Sequence, residues 1–228
     1  MKKRPIITID GPAGAGKSTI GRILAERLSF IYLDTGALYR AMAYRLNSEG
    51  WDGTEESLIK LCRRMKVEMR KVTGQLHVFA NGEDVTQRIR TEEIGLLASR
   101  VSASPVVREV LLSVQRALAV EGGLVAEGRD MGSVVFPDAE VKFFLDASAR
   151  ERASRRYLEL TERDTVCMQE IEDDLLRRDS QDRNRLIAPL IIPPDAVIID
   201  STDKTISQVV DIMLSVIENS GHLPTCKK

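Results

Sequence analysis

Eight residues, Gly11-Pro12-Ala13-Gly14-Ala15-Gly16-Lys17-Ser18, constrain this chain most. They fit the pattern G-x-x-x-x-G-K-[ST] and stand between a short β-branched run, Ile6-Ile7-Thr8-Ile9, and a stretch to Leu28 with Ile20, Ile23, Leu24 and Leu28 at helical spacing. Strand, glycine loop and helix in that order turn backbone N–H groups inward at a helix N-terminus, which makes an anion-binding nest. Triphosphate oxygens fit such a nest. Lys17 supplies a mobile charge for the outer phosphates, and the Ser18 hydroxyl is placed to ligate Mg²⁺. The chain is therefore expected to bind ATP through residues 11–18 with Thr19, and to use Mg²⁺.

The remaining pattern alternates strands with helices. Phe30–Leu33, Leu124–Ala126, Val141–Leu145 and Ala196–Ile199 read as further buried strands. Together with the first they predict an α/β fold of the P-loop NTPase type, a five-stranded parallel sheet with helices on both faces. Between Lys66 and Ile89 the period changes to that of hairpins, with a third strand expected after Asn81-Gly82, so a small antiparallel insert is expected there. Ser104-Pro105 reads as a capped helix start, and Ser148-Ala-Arg-Glu151 as a capping box. One domain over 1–219 is expected, with a nucleotide-binding insert near 37–100, a helical lid near 150–187 and a tail at 220–228.

Charge and composition narrow the function. Lys plus Arg (33) nearly equals Asp plus Glu (34), so no global field exists to hold nucleic acid or an anionic membrane. The apolar run after Met1-Lys2-Lys3-Arg4-Pro5 stops at Asp10, which is a first strand rather than a signal sequence. No stretch approaches the roughly 18 to 20 apolar residues of a membrane span. Cys62, Cys167 and Cys226 are scattered and expected to be reduced, as in a cytoplasmic protein. With only His77 and His222 available, a His-centred metal site or a Ser-His-Asp triad has little support, and both histidines read as surface residues.

A nucleotide-binding loop alone does not separate switch, motor and kinase. The Asn-Lys-x-Asp segment with which guanine-nucleotide switches read their base is absent. A second anion site is indicated instead. Asp34-Thr35-Gly36-Ala37-Leu38-Tyr39-Arg40 follows the second strand, at the sheet edge where open α/β sheets bind ligands. Taken alone, that segment reads better as an ordinary strand-to-helix turn with a solvated arginine. Glu127-Gly128-Arg129-Asp130-Met131-Gly132 follows another strand, and its two glycines point to close approach of backbone to ligand. From Phe143 to Asp203 every basic residue is arginine: Arg150, Arg152, Arg155, Arg156, Arg163, Arg177, Arg178, Arg183 and Arg185. Planar guanidinium groups bind phosphate bidentately and keep their proton, as a lid over phosphates requires. About half of these arginines are expected to sit in surface ion pairs instead.

In these segments the chain resembles the bacterial cytidylate kinases of the short-chain nucleoside monophosphate kinase group. The resemblance runs from Ile6 to about Ile217 and rests on IDGPAGAGKS at Ile9–Ser18, LDTGALYR at Leu33–Arg40, GRDMGSVVFPDA at Gly128–Ala139 and RDSQDRNR at Arg178–Arg185. It implies transfer of the γ-phosphoryl group of ATP to CMP or dCMP, by a monomer. Acceptor phosphate is implied near Thr35, Arg40, Arg129 and Arg185, cytosine near Ser99, Arg108 and Asp130, and ribose near Asp182. Lys17, Arg129, Arg155, Arg178 and Arg185 would be the catalytic cations. Cytosine offers an exocyclic amine donor beside a ring acceptor, which suits a carboxylate paired with a donor; uracil reverses that pattern and would leave groups unpaired. Two departures are small: Thr35 stands where some members have serine, and Gln181 where some have arginine, which removes one lid charge.

Overall fold

The computed structural model describes residues 3–73, 75–160 and 167–223. Arg163 and Cys226 lie outside them. The chain forms two compact units, one of Met1–Tyr32 with Glu121–Lys228, the other Leu33–Val120.

The first unit is built on the parallel sheet. In chain order its strands are β1 (Arg4–Asp10), β2 (Ile31–Asp34), β6 (Gly122–Gly128), β7 (Val141–Asp146) and β8 (Val197–Asp200), and across the sheet they run β2-β6-β1-β7-β8. The central strand, β1, pairs in parallel with β6 and β7. Its odd residues Ile7 and Ile9 are fully buried with Val125, Phe143 and Leu145 against Ile20 and Leu24 of α1 (Lys17–Leu28) and Val209, Val210, Met213 and Ile217 of α8 (Ile206–Asn219). Alternation along a strand sends Thr8 and Asp10 to the opposite face. Register then sets the site: Asp10 lies opposite Gly128 on β6, so the loop leaving β1 and the Arg129-Asp130 pair leaving β6 emerge at adjacent strand ends.

Local capping accounts for most helix starts, with two corrections. Thr205 and Gln208 form the reciprocal capping box of α8. At α6 (Ala149–Leu160) only half of the expected box exists. Glu151 N–H donates to Ser148 Oγ at 3.2 Å, but Ser148 N–H donates to Thr202 Oγ1 and the Glu151 carboxylate is taken by Arg155. An ionised partner outcompetes a neutral amide for that carboxylate. Between α6 and β8 the chain forms α7 (Met168–Asn184).

The second unit holds α2 (Thr35–Ser48), α3 (Glu55–Cys62), β3 (Val67–Val72), β4 (Gln75–Ala80), β5 (Glu83–Asp84), α4 (Glu92–Val101) and α5 (Pro105–Ala117). Its three strands form the antiparallel insert in the order β3-β4-β5. Asn81 and Gly82 link β4 to β5 with φ of 51° and 85°, the two positive values that a tight primed turn needs. Thr54 and Thr91 cap α3 and α4 through their hydroxyls. Ser104 does not: Pro105 occupies the first position of α5 as expected, but the Ser104 hydroxyl is buried without a hydrogen-bond partner. His77 Nδ1 lies 2.7 Å from Asp84 Oδ2 in a part-exposed pair, remote from any motif.

Candidate active site

The glycine loop is held in a shape few other sequences could adopt. A Cβ on Gly11 would lie 2.0 Å from the Leu145 carbonyl oxygen, so the loop can cross β7 only as glycine. Gly16, at φ 91°, is the left-handed residue from which α1 starts. The N–H groups of the first turn therefore have no partner earlier in the helix, which favours an anion there. Lys17 is nearly buried, and its Nζ donates to the Pro12 carbonyl at 2.6 Å. Burial first, then the positive charge of Arg129, pull its pKa down to about 7; Glu127 and Asp10 oppose the shift.

Glu127, at the end of β6, organises the cation side of the loop. Its Oε1 accepts from Ser18 Oγ at 2.6 Å and from Tyr32 Oη at 2.9 Å. Among the described residues no cluster of three or more His, Cys, Asp or Glu side chains could cage a metal. One hydroxyl beside one carboxylate does suit Mg²⁺, which keeps most of its waters and binds largely through substrate phosphates.

Beyond β6 lies a cluster of alternating charge. Arg129 Nε donates to Asp182 Oδ2 at 2.8 Å; Arg185 Nη2 lies 3.6 Å from Asp130 Oδ1, and its Nη1 3.8 Å from Asp182 Oδ1. The turn carrying Arg129-Asp130 runs into a π-helical segment, Met131–Val135, whose first N–H groups are held from β1: Met131 and Gly132 both donate to Asp10 at 2.8 Å. Burial raises the Asp10 carboxyl to about 6 despite those two bonds. The expectation that both flanking glycines serve close approach to a ligand is corrected at Gly132. A Cβ there would meet Thr8 Oγ1 at 2.9 Å and Pro193 at 3.0 Å, so that glycine is required by protein packing.

The arginine-rich helices divide as charge pairing dictates. Arg156 and Arg177 form exposed pairs with Glu159 and Asp174. Arg155 bonds Glu151 and donates to Ser201 Oγ at 3.2 Å and Ser201 O at 2.7 Å, and its Nη1 would lie 3.8 Å from a Cβ placed on Gly16, beside the nest. Arg178 is partly buried on α7. Arg152 is buried against Asp179.

In the second unit, Asp34 caps α2 by accepting from Ala37 N–H, and Arg40 folds back onto the same carboxylate at 2.9 Å. Thr35 is buried at the first turn. Arg108 of α5 donates to the Ser102 carbonyl at 3.3 Å and lies 5.8 Å from the centre of the Tyr39 ring. Ser102 Oγ in turn donates to the Ser99 carbonyl at 2.8 Å, which ties Ser99 and Arg108 into one chain of bonds.

Sequence reasoning passed over Asp10, Glu127 and the Arg152–Asp179 pair. Asp10 had a signal, a lone carboxylate ending an apolar strand. Glu127 opened a segment already singled out, in which only the glycines and the Arg-Asp pair were given a role. Arg152 and Asp179 lie on separate helices, and nothing in their spacing marks them as partners.

Among the described residues no helix is long and apolar enough to cross a membrane. Cys62 is a buried thiol, pushed up to about 11 by desolvation, and Cys167 is an exposed one.

The cytidylate kinase family model matches residues 7–219. A cytidylate kinase from Citrifermentans bemidjiense is 49% identical over 215 residues, covering 93% of this chain and 92% of that protein. One from Yersinia enterocolitica is 48% identical over 225 residues, 98% of each. A crystal structure of an uncharacterized protein from Eubacterium ventriosum aligns with TM-score 0.51 and 14% identity over 95% of this chain and 99% of that one, a likeness of fold alone.

Proposed function

The chain belongs to the cytidylate kinase family, and we propose that it transfers the γ-phosphoryl group of ATP to CMP or dCMP, giving ADP and CDP or dCDP. One observation carries the reading beyond family membership. The Asp10–Gly128 register sets an ATP-type anion nest and the Arg129-Asp130 turn on neighbouring strand ends, so one molecule holds cations for two phosphate groups.

In the reaction, an oxygen of the acceptor phosphate attacks the γ-phosphorus, and the β–γ bridging oxygen leaves with its electron pair as ADP. Such a transfer needs in-line positioning and neutralisation of charge on the equatorial oxygens, with little covalent help from protein. Residues 11–18 with Thr19 bind the triphosphate. Lys17 leaves the Pro12 carbonyl for the outer phosphates. Arg155 and Arg178 supply the mobile positive charge of a lid over residues 150–187, and Arg185 adds its charge at the acceptor phosphate. Ser18, with Glu127 behind it, would hold Mg²⁺, whose charge would help neutralise the transferring phosphate. Acceptor phosphate is assigned to Thr35, Arg40, Arg129 and Arg185, ribose to Asp182, and cytosine to Ser99, Arg108 and Asp130. The near-balanced charge argues against nucleic acid or an anionic membrane as partner, and the proposal is of a monomer that works on small nucleotides in the cytoplasm.

Lid closure also excludes water, the competing acceptor. ADP release from MgATP alone should accordingly be slow and should rise steeply when CMP is added. Equal rates with and without CMP would defeat the proposal.

A further inference from the structure

Ala13, inside the glycine loop, is gripped at three points by the two helices that bear the arginine-rich segment. Its N–H donates to Asp179 Oδ1 on α7 at 3.3 Å, and its carbonyl accepts from Arg152 Nη1 on α6 at 2.9 Å. Its methyl packs among Ala153, Ile171 and Leu175, with Tyr157 against them. Arg152 Nη1 and Asp179 Oδ2 are 2.7 Å apart, with side chains 5% and 3% exposed; Asp179 Oδ2 accepts no hydrogen bond, so the contact is an ion pair. Arg152 Nε is committed to the Ala147 carbonyl at 3.0 Å. The arginine stem also abuts the loop, since a Cβ on Gly14 would lie 3.1 Å from Arg152 Cβ.

A buried ion pair seldom stabilises a fold more than apolar side chains of the same size would. What this pair does, and apolar side chains would not, is fix both backbone polar groups of one residue, and so the two peptide units that flank it, at the entrance to the nest. The residues after Ala13 can present their N–H groups to phosphate only if the chain enters from the right direction, and a loop free to rotate at Ala13 would have to be ordered by the ligand at the expense of affinity.

We infer that Arg152 and Asp179 are positioning residues for the phosphate donor: they hold the two peptide units that flank Ala13, and through them the nest from Gly14 to Ser18, in its ATP-binding form. Neither is assigned to a phosphate. The inference rests on the kinase reading above for the identity of the donor.

Asp179→Asn keeps an oxygen for the Ala13 N–H but removes the charge that holds Arg152. An Arg152→Met, Asp179→Leu double variant removes the grip while filling the same space, a replacement that leaves fold stability nearly unchanged or raised. Both should bind a fluorescent ATP analogue about tenfold or more weakly than the wild type, with KM for ATP rising in step. KM for CMP should stay within about twofold, because only the donor loop is released. Unchanged ATP affinity in a variant whose thermal unfolding matches the wild type overturns the inference. An equal loss of ATP and CMP affinity does so too, since it would make the pair a general scaffold. A wild-type chain that fails to phosphorylate CMP would contradict the proposed function instead, and the ATP-binding comparison would still decide the role of the pair.

Discussion

Ser18 Oγ and Glu127 Oε1 lie 2.6 Å apart, joining the hydroxyl at the start of α1 to the carboxylate at the end of β6. The bond orients the only protein oxygen assigned to Mg²⁺. Partners of this kind, one step removed from a metal, typically change metal affinity or activity 10- to 100-fold when removed. Glu127→Gln should raise the Mg²⁺ concentration for half-maximal activity by about tenfold. A Mg²⁺ titration at fixed ATP checks this, and an unchanged midpoint would remove Glu127 from the cation site.

Arg129 and Arg185 share Asp182, so neither stands alone. Arg129→Ala should lower kcat/KM for CMP by about 100-fold or more, because it removes the guanidinium proposed for the acceptor phosphate and leaves a nearly buried carboxylate short of its partner. Arg129→Lys should recover little, since an ammonium cannot make the planar two-bonded contact. Steady-state kinetics on both variants test the pair, and full recovery by lysine would reduce the arginine to a point charge.

Base reading and phosphate chemistry should separate by mutation. Arg108→Ala should erode the preference for CMP over UMP by about tenfold, the value of one well-placed buried hydrogen bond. Lys17→Ala should lower turnover with every acceptor. An Arg108 variant that loses CMP and UMP activity equally would not be a base reader.

Asp10 makes a pH prediction whose sign follows from burial. Burial holds its carboxyl at about 6 in the folded chain, against its ordinary 3.8 when unfolded. Between those values the folded state holds the extra proton, so this group's contribution to stability falls as pH rises from about 4 to 6 and is constant above. The stability difference between the wild type and Asp10→Asn should therefore shrink by on the order of 2 to 3 kcal/mol across that window. Denaturant unfolding of both proteins at pH 4, 5, 6 and 7 measures it; a flat difference would place the Asp10 carboxyl at its ordinary value.

The sheet, the insert and the glycine loop were legible in the sequence because local signals carry them. β-branched runs bounded by glycine made strands, and Asn81-Gly82 announced its hairpin through a two-residue turn. Capping was read less well. Ser148 and Glu151 have the right spacing, yet Thr202 and Arg155 claim their groups, and such competition is visible only in three dimensions. Gly132 shows the same limit: its motif invited a ligand-side reading, while Thr8 and Pro193 fill the space a side chain would need. The grip of Arg152 and Asp179 on Ala13 joins a loop and two helices that meet only through tertiary packing, where no period or motif reaches.

As a member of the cytidylate kinase family, this chain phosphorylates the cytosine nucleotide. Equimolar CMP and UMP supplied together with limiting MgATP test it most directly, with CDP and UDP resolved by chromatography. CDP should dominate by about tenfold or more. Predominance of UDP, or ATP consumption with neither product, would contradict it.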